Sequence, residues 1–282
     1  MDKDTRIIDI KGKHWKHRLL LRLAIANEFP TRLRLFNIMK NIFRLDLLLF
    51  KTPSGLDLLL DITDWVQYQI YFYGNYEKKS IGLFKELSQN AKVVFDIGAH
   101  IGQYALECAQ ADTERTKQVF AIEINPKTFT YLLNNIQLNK FTQITPVLGA
   151  VGATHDIYNI SIPAYWNMGN TQIAKDQTNK GLDNYMAASF SLPELLKKYN
   201  LQHIDLIKID IEGHELSIFK NLFAKNIYPS NIICEFIPDI FDQSRELIRL
   251  FRENNYILKD VNGDLYTAER TVPEQNLWAQ KI

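Results

Sequence analysis

The sequence predicts an α/β fold that is built around a parallel sheet. Strand-like and helix-like stretches alternate from residue 91 onward, which is typical of βαβ units. The first of these strands, residues 93–96, is an apolar run that ends in an acid and leads into a turn with Gly98 and Gly102. Ligands of open α/β sheets bind outside the carboxyl ends of the strands, so we expect this turn to approach a ligand.

Residues 1–60 are predicted to form a basic extension that precedes the main domain, residues 61–282. Residues 1–50 hold 11 lysines and arginines against 5 acidic residues, a surplus of +6 in a chain whose formal net charge is +1. Short amphipathic helices are predicted over residues 14–50. We interpret them as a cap packed on the main domain, with contact to a membrane surface or a lipid-linked substrate as the alternative.

A hairpin and an aromatic segment follow. Strands over residues 47–50 and 56–62 flank a turn that contains Pro53 and Gly55. Residues 64–77 are rich in aromatic side chains. This segment is interpreted either as a hydrophobic staple on the core or as a lid that offers aromatic faces and a carboxylate to a ligand.

The main domain then continues as alternating strands and helices with one interruption. The strands are predicted at residues 93–96, 118–123, 143–148, 204–210 and 231–235, and the helices at 103–109, 126–138, 191–199, from 215, and at 241–253. Residues 153–190 break the rhythm with short alternating runs and are predicted to be a β-rich insertion. Residues 256–268 are expected to supply the closing antiparallel strands.

Composition and motifs indicate the cellular compartment and the partners to expect. Cys108 and Cys234 lie inside a predicted helix and a predicted strand, which favours buried thiols in a reducing compartment. The sequence contains neither an apolar run of 18 residues nor a signal-peptide pattern, so we expect a cytoplasmic protein. It also contains no nucleic-acid-binding motif, so no nucleic-acid partner is expected.

Four predicted strands end in a carboxylate: Asp96, Glu123, Asp210 and Glu235. The ends of parallel strands converge on one edge of a sheet, and carboxylates crowded there suit a cationic ligand or a metal.

The spacing of the first turn separates two kinds of nucleotide site. A dinucleotide site favours G-x-G-x-x-G, whereas here Gly98 and Gly102 are separated by three residues and His100 replaces the middle glycine. S-adenosylmethionine carries no phosphate and has a positive sulfonium and ammonium. Glu123, 21 residues after Gly102, is spaced as a ribose-binding acid. An S-adenosylmethionine site therefore fits better than a site for NAD.

Taken together, these stretches resemble the successive motifs of the FkbM-type methyltransferases. The matching stretches are residues 94–102, 121–126, 138–139, 207–215 and 233–235, with 73–77 similar to the segment before the domain. The resemblance covers about residues 60–240. It implies a class I methyltransferase fold, a Rossmann-like, seven-stranded, mostly parallel sheet flanked by helices. It also implies methyl transfer from S-adenosylmethionine, usually to a hydroxyl of a sugar, lipid or natural product, so a small-molecule or glycan acceptor is expected.

The resemblance also implies a set of cofactor-binding residues. These are Tyr76, Glu77, Asp96, Gly98, Ala99, His100, Gly102, Glu123, Ile124, Asn125 and Ala150. Two positions depart from the family pattern: His100 replaces an asparagine, and Ser191-Leu192-Pro193 stands where a Leu-Asp pair is common. These departures keep open the alternative of a non-catalytic cofactor-binding or interaction module on the same fold.

A hydroxyl acceptor needs alignment and a base. Alignment contributes about 7–11 kcal/mol, and a positioned base contributes about 10²–10⁴-fold. The candidates for the base are His214, Asp210 and Glu212, all in the turn after the fourth strand. His214 is favoured because the ordinary pKa of histidine is about 6.5. The same three residues could instead hold a divalent cation, although no metal is expected.

Overall fold

The computed structural model of the protein describes residues 16, 19–20, 22–23, 31–43, 46–162, 171–173, 183–211, 213–236, 242–267 and 272–282. Much of the predicted N-terminal helical region, the tip of the insertion and Glu212 lie outside these ranges.

Strands and helices alternate along most of the described chain. The helices are α1 (Arg32–Phe43), α2 (Trp65–Tyr73), α3 (Lys78–Ser88), α4 (Gln103–Ala111), α5 (Pro126–Asn139), α6 (Leu192–Lys198), α7 (Glu215–Ala224) and α8 (Asp242–Glu253). The strands are β1 (Leu47–Lys51), β2 (Asp57–Asp61), β3 (Val93–Ile97), β4 (Gln118–Glu123), β5 (Ile144–Leu148), β6 (Ala150–Val151), β7 (Ile157–Ile162), β8 (Gln172–Ile173), β9 (Asp183–Phe190), β10 (Leu206–Ile209), β11 (Asn231–Glu235), β12 (Tyr256–Asp260) and β13 (Asn276–Lys281).

Seven strands form the central sheet in the spatial order β5-β4-β3-β10-β11-β13-β12. The strands from β5 to β11 pair in parallel, whereas β13 is antiparallel to both of its neighbours. This is a class I methyltransferase sheet, and the predicted fold class is confirmed. The carboxyl ends of five parallel strands therefore meet at one edge.

Two hydrophobic cores cover the two faces of this sheet. On β3, Val94 packs into the same cluster as Leu106 of α4, whereas Phe95 packs into the cluster of Phe219 on α7. Phe95 also stacks on Phe120 of the neighbouring strand, with ring centroids 4.8 Å apart. Each buried side chain of this size contributes about 1.5–3 kcal/mol. The sheet is consequently a firm frame for groups at the ends of its strands.

The hairpin β1–β2 forms as predicted and docks on α5. Asn135 of α5 accepts a hydrogen bond from the amide of Leu59 (2.7 Å), and Asn139 accepts one from the amide of Asp57 (2.9 Å). Leu58 and Leu60 enter the same core cluster as Val94. The hairpin thus shares its core with the main sheet.

Helix α1 combines a buried and an exposed apolar face. Phe36 is fully buried against Tyr68 and Phe72 of α2, whereas Ile38 and Ile42 are 46% and 69% exposed. The packing of Phe36 agrees with a helical cap on the domain. Across the described residues, no helix has the length and apolar character needed to span a bilayer.

The insertion is β-rich, as predicted. Strands β6, β9, β7 and β8 form a second sheet in that order, and β7 and β9 pair antiparallel. Strand β6, directly after β5, pairs in parallel with β9 over two residues. The insertion therefore begins at the carboxyl edge of the central sheet.

The prediction for the closing strands was wrong in part. Residues 256–268 contain β12, but its antiparallel partner is β13, which lies beyond them. Strand β13 sits between two strands, so Leu277, Trp278 and Ala279 are buried in succession. A strand covered on both faces loses the alternating pattern by which a closing antiparallel strand is recognised.

Candidate active site

A cavity of about 550 Å³ lies at the carboxyl edge of the central sheet. This is the size of an ordinary small-molecule or cofactor site. The predicted site residues that line it are Tyr76, Glu77, Gly98, Ala99, His100, Glu123, Ile124, Ala150, Asp210 and His214.

The turn after β3 is bent sharply toward the sheet. The amides of Gly98 and Ala99 both donate to the carbonyl of Ile122, at 2.9 Å each. Gly98 has a φ of 77°, and a Cβ there would lie 2.0 Å from the carbonyl oxygen of Asp210. Only glycine fits this position, since both the backbone angle and the space exclude a side chain. This turn forms the floor of the cavity.

Glu123 is held at the end of β4 by backbone amides. One carboxylate oxygen accepts from the amide of His100 and the other from the amide of Asn125, both at 2.7 Å. Glu123 is 6% exposed and lines the cavity. Each carboxylate oxygen has a second lone pair, so Glu123 retains the capacity to accept from hydroxyl groups of a ligand.

Three residues predicted to touch the cofactor lie behind the cavity wall instead. Asp96 is 1% exposed and accepts from the amide of Ala105 (3.0 Å) in α4. Gly102 precedes α4 with a φ of 91°. Asn125 caps α5 by accepting from the amide of Lys127 (2.9 Å). All three fix the backbone of neighbouring segments, and none of them lines the cavity.

The sequence interpretation missed Lys208, which lies at the centre of the acidic edge. Its ammonium is buried, lies 3.0 Å from a carboxylate oxygen of Asp210 and sits 5.2 Å from the ring centroid of Tyr104. Burial lowers the pKa of Lys208, but the carboxylates of Asp210, Glu77 and Asp96 more than offset this and raise it. The sequence did contain a signal for Lys208 as a site residue, because a lysine between Ile207 and Ile209 in a buried strand needs charged partners.

Two carboxyls beside Lys208 are shifted toward their neutral forms. Burial raises the pKa of Asp96 to about 7, although Lys208 and the amide of Ala105 oppose the shift. Burial also raises the pKa of Glu77, and Asp210 adds to that effect. The O–H of Tyr104 donates to Glu77 at 2.7 Å. Near Glu77, burial raises the pKa of Tyr76 to about 12.

The candidate bases lie on the opposite side of the turn from Glu123. Asp210 and His214 both line the cavity and are partly exposed, while Glu212 lies outside the described residues. His214 directly precedes α7, whose first residue, Glu215, accepts from the amide of Ile211 (3.2 Å). Over the described ranges, no group of three or more His, Cys, Asp or Glu side chains is arranged to hold a metal ion.

The aromatic segment contributes side chains both to the cavity lining and to the core. Trp65, Val66 and Ile70 of α2 line the cavity, whereas Tyr71 and Phe72 are buried in the core. The helix is capped by Asp64, which accepts from the amide of Gln67 (3.1 Å).

His100 connects this helix to the first turn. Its Nε2 lies 3.6 Å from a carboxylate oxygen of Asp64 and has no hydrogen-bond partner among the described residues. His100 has a φ of 51°, in the left-handed region that Asn, Asp and His adopt more often than other side chains do.

Further lining residues come from parts of the chain that sequence reasoning did not connect to the site. Thr171 comes from the insertion and accepts from the side-chain amide of Asn125 at 3.0 Å. Glu274 and Gln275 come from the turn before β13. Neither segment carries a local motif, since only the folded chain brings them to this edge.

A family comparison matches most of this region. The model of the methyltransferase FkbM domain family matches residues 96–258, which is more than half of the chain.

Comparison with individual proteins gives shorter matches. Hexuronic acid methyltransferase AglP of Haloferax volcanii is 30% identical over 149 residues, which cover 52% of this chain and 56% of AglP. The tRNA (guanine(37)-N(1))-methyltransferase Trm5b of Pyrococcus abyssi is 33% identical over 96 residues, or 34% of this chain and 26% of Trm5b. The solved structure of methyltransferase FkbM from Methylobacillus flagellatus has a TM-score of 0.43 and 16% identity, covering 77% of this chain and 55% of that one. The matches thus span about a quarter to just over half of the length of these relatives.

Proposed function

The chain belongs to the methyltransferase FkbM family, and from that premise we propose that it transfers a methyl group from S-adenosylmethionine to a hydroxyl of a sugar-type acceptor. The observation that carries the proposal is Glu123, a buried carboxylate fixed by two backbone amides at the edge of a cavity, at the spacing of a ribose-binding acid.

The charges of the cavity fit this cofactor. Lys208 is a buried cation among Glu77, Asp210 and further lining carboxylates, and it is already paired with Asp210. A pyrophosphate would meet repulsion at such an edge, whereas a ligand with a sulfonium and an ammonium would be attracted. Glu77, Glu123 and the glycine turn are the groups that would hold it.

The chemistry then depends on how the acceptor is placed. The bound cofactor supplies a methyl group on a positively charged sulfur, which is open to attack by an oxygen lone pair. His214 and Asp210 lie on the cavity wall, where a base could take the proton of the attacking hydroxyl. Trp65 and Ile70 of α2 line the cavity and would help to exclude water from the bound reactants.

The sugar class of acceptor is supported by the length of the relevant match. The AglP alignment spans 52% of this chain, against 34% for Trm5b. We therefore place a sugar ahead of tRNA as the acceptor.

Calorimetry with S-adenosylhomocysteine and turnover with methyl-labelled S-adenosylmethionine test the proposal. The acceptor panel contains neutral sugars, uronic acids and total tRNA. We expect binding, with label appearing in a sugar. Binding without any turnover would favour the non-catalytic module, and label in tRNA would overturn the acceptor class.

Two variants separate binding from transfer. Glu123→Ala removes a charged acceptor and should weaken cofactor binding by about ten- to hundredfold. His214→Ala should leave binding unchanged and slow transfer by about 10²-fold or more. The matched controls are Glu114→Ala and His203→Ala, which precede β4 and β10 and so lie at the opposite edge of the sheet. An unchanged rate in His214→Ala would refute the assignment of the base.

A further inference from the structure

Helix α3 begins without the cap that its own N-terminal residue could provide. Glu77 occupies the N-cap position with φ 53° and ψ 58°, and its side chain makes no capping hydrogen bond. Ser, Thr, Asp and Asn side chains at this position ordinarily accept from the first amides of the helix, and any carboxylate near them is favoured by the helix dipole. The Glu77 carboxylate instead accepts from the O–H of Tyr104 at 2.7 Å and lines the cavity.

The cap of α3 comes from the other end of the chain. The Glu274 carboxylate accepts from the amide of Lys79 (2.9 Å) and from the amide and the hydroxyl of Ser80 (both 2.7 Å). These bonds satisfy two of the amides that a helix N-terminus leaves without a partner, and they place a negative charge at the positive end of the helix dipole.

The turn that carries Glu274 is held firmly in this position. The side-chain amide of Asn276 donates to the Ser80 hydroxyl (3.1 Å) and to the Glu274 carbonyl (3.0 Å), and both Ser80 and Asn276 are buried. Glu274 and Gln275 have φ values of 55° and 54°, which is unfavourable for residues other than glycine. Backbone strain of this kind persists only where surrounding contacts enforce it.

We propose that Glu274 is a positioning residue: by capping α3 in place of Glu77, it keeps the Glu77 carboxylate in the cavity, facing the positively charged ammonium of the cofactor. This inference rests on the proposed function. Without Glu274, the first amides of α3 would lack an acceptor. The carboxylate of Glu77, directly before them, would then turn away from Tyr104 to cap them.

The surroundings of Glu77 explain why it requires this support. Burial and the Asp210 charge both raise the pKa of Glu77, and the Lys208 ammonium with the hydrogen bonds from Tyr104 and Asn276 only partly compensates. The N-terminus of α3 would be a more favourable place for the Glu77 carboxylate than the buried cavity. Glu274 already occupies that N-terminus, so Glu77 stays in the cavity.

A double-mutant cycle between Glu77→Gln and Glu274→Gln tests the proposal. Glutamine has the shape of glutamate, but its NH₂ group cannot accept from a second amide. We expect Glu274→Gln to weaken S-adenosylhomocysteine binding about tenfold, the usual effect of losing a charged hydrogen-bond partner. If Glu274 acts through Glu77, the double variant should bind as Glu77→Gln does, within about twofold.

A second ligand separates positioning from general damage. 5′-Methylthioadenosine lacks the amino-acid part of the cofactor, so Glu274→Gln should leave its affinity unchanged within about twofold. The control for a lost helix cap is Glu194→Ala, because both hydrogen bonds of Glu194 go to one carboxylate oxygen that glutamine would keep. Glu194 accepts from the amide and hydroxyl of Ser191 (2.8 and 2.9 Å) at the start of α6, away from the cavity. This control should lose thermal stability without losing affinity for either ligand.

The outcomes are distinct. Losses that multiply in the double variant, equal weakening of both ligands, or unchanged binding in Glu274→Gln would each overturn the positioning role. A wild-type protein that binds neither ligand would instead refute the proposed function.

Discussion

At the scale of single residues, the site combines charged groups that burial would normally exclude. Lys208 is fully surrounded, yet it remains paired because Asp210, Asp96 and Glu77 lie around it. Buried charges of this kind are tolerated where they are paired or serve a ligand. Three carboxyls beside one ammonium leave an excess of acid, and part of that excess is relieved by protonation, as the raised pKa of Asp96 indicates.

The carboxyl group of Asp96 should make the stability of the protein depend on pH. Burial raises the pKa of Asp96 to about 7, whereas an aspartate in an unfolded chain has a pKa of about 4. Between these values the folded protein retains a proton that the unfolded chain releases, so Asp96 lowers the free energy of unfolding as the pH rises through this window. Asp96→Asn removes the titration. The stability of the variant relative to wild type should therefore increase by about 2 kcal/mol from pH 5 to pH 7.5.

Urea unfolding of both proteins at several pH values measures this difference. Asn keeps an oxygen that can accept from the amide of Ala105, so folding should be retained. A stability difference that does not change with pH would show that Asp96 is ionised throughout.

The sequence predicted that acidic residues would gather at the ends of the strands, but it did not predict which groups each acid would contact. Glu123 and Asp210 were expected at the site because acids after parallel strands share one edge, and both line the cavity. Asp96 shares the same signal, but it lies inside β3, level with Ala121 and thus two residues short of Glu123, and it accepts from the amide of Ala105 in α4. Spacing along the chain does not distinguish these two cases.

At the scale of elements, replacing glycine by alanine should have opposite effects on stability in the turn after β3 and in helix α3. Gly98 has a positive φ and touches the end of β10, whereas Gly82 lies in the middle of α3, where a Cβ would have no neighbouring atom within 4 Å. Gly98→Ala should destabilise the protein by about 3 kcal/mol or more, through backbone strain and overpacking. Gly82→Ala should stabilise it by about 0.5–1 kcal/mol, because alanine favours a helix more than glycine does.

Denaturant unfolding of the two variants gives the test, with Gly82→Ala as the control for adding one methyl group. S-adenosylhomocysteine affinity should be unchanged in Gly82→Ala. If Gly98→Ala were as stable as wild type, the close approach of this turn to Asp210 would not exist in solution.

At the scale of the whole molecule, the positions of the parallel strands along the chain followed from sequence, but the residues that close the site did not. Hydrophobic runs, terminal acids and glycine spacing are local signals, so β3, β4, β10 and β11 were predicted near their observed bounds. The turn with Glu274 and Gln275 is hydrogen-bonded to α3, which lies about 195 residues earlier in the chain. Contacts of such separation leave no local pattern, and β13, buried on both faces, showed no alternation.

The last prediction follows from the cavity being assembled from nearly the whole chain. Lining groups come from α2, the ends of the parallel strands, the insertion and the C-terminal turn, so a ligand that binds there stabilises all of these elements together. A ligand at 100 times its Kd adds about 2.7 kcal/mol to the free energy of unfolding. For a chain of this size, that corresponds to a rise in Tm of about 5 °C.

Thermal unfolding with S-adenosylhomocysteine should show this rise, and NAD at the same concentration should produce none, because its pyrophosphate would face Glu77, Asp210 and Glu123. Glu123→Ala should lose most of the shift while keeping a single cooperative transition. An equal rise with NAD would mean that the acidic edge does not select between the two cofactors, and the charge argument for S-adenosylmethionine would fail.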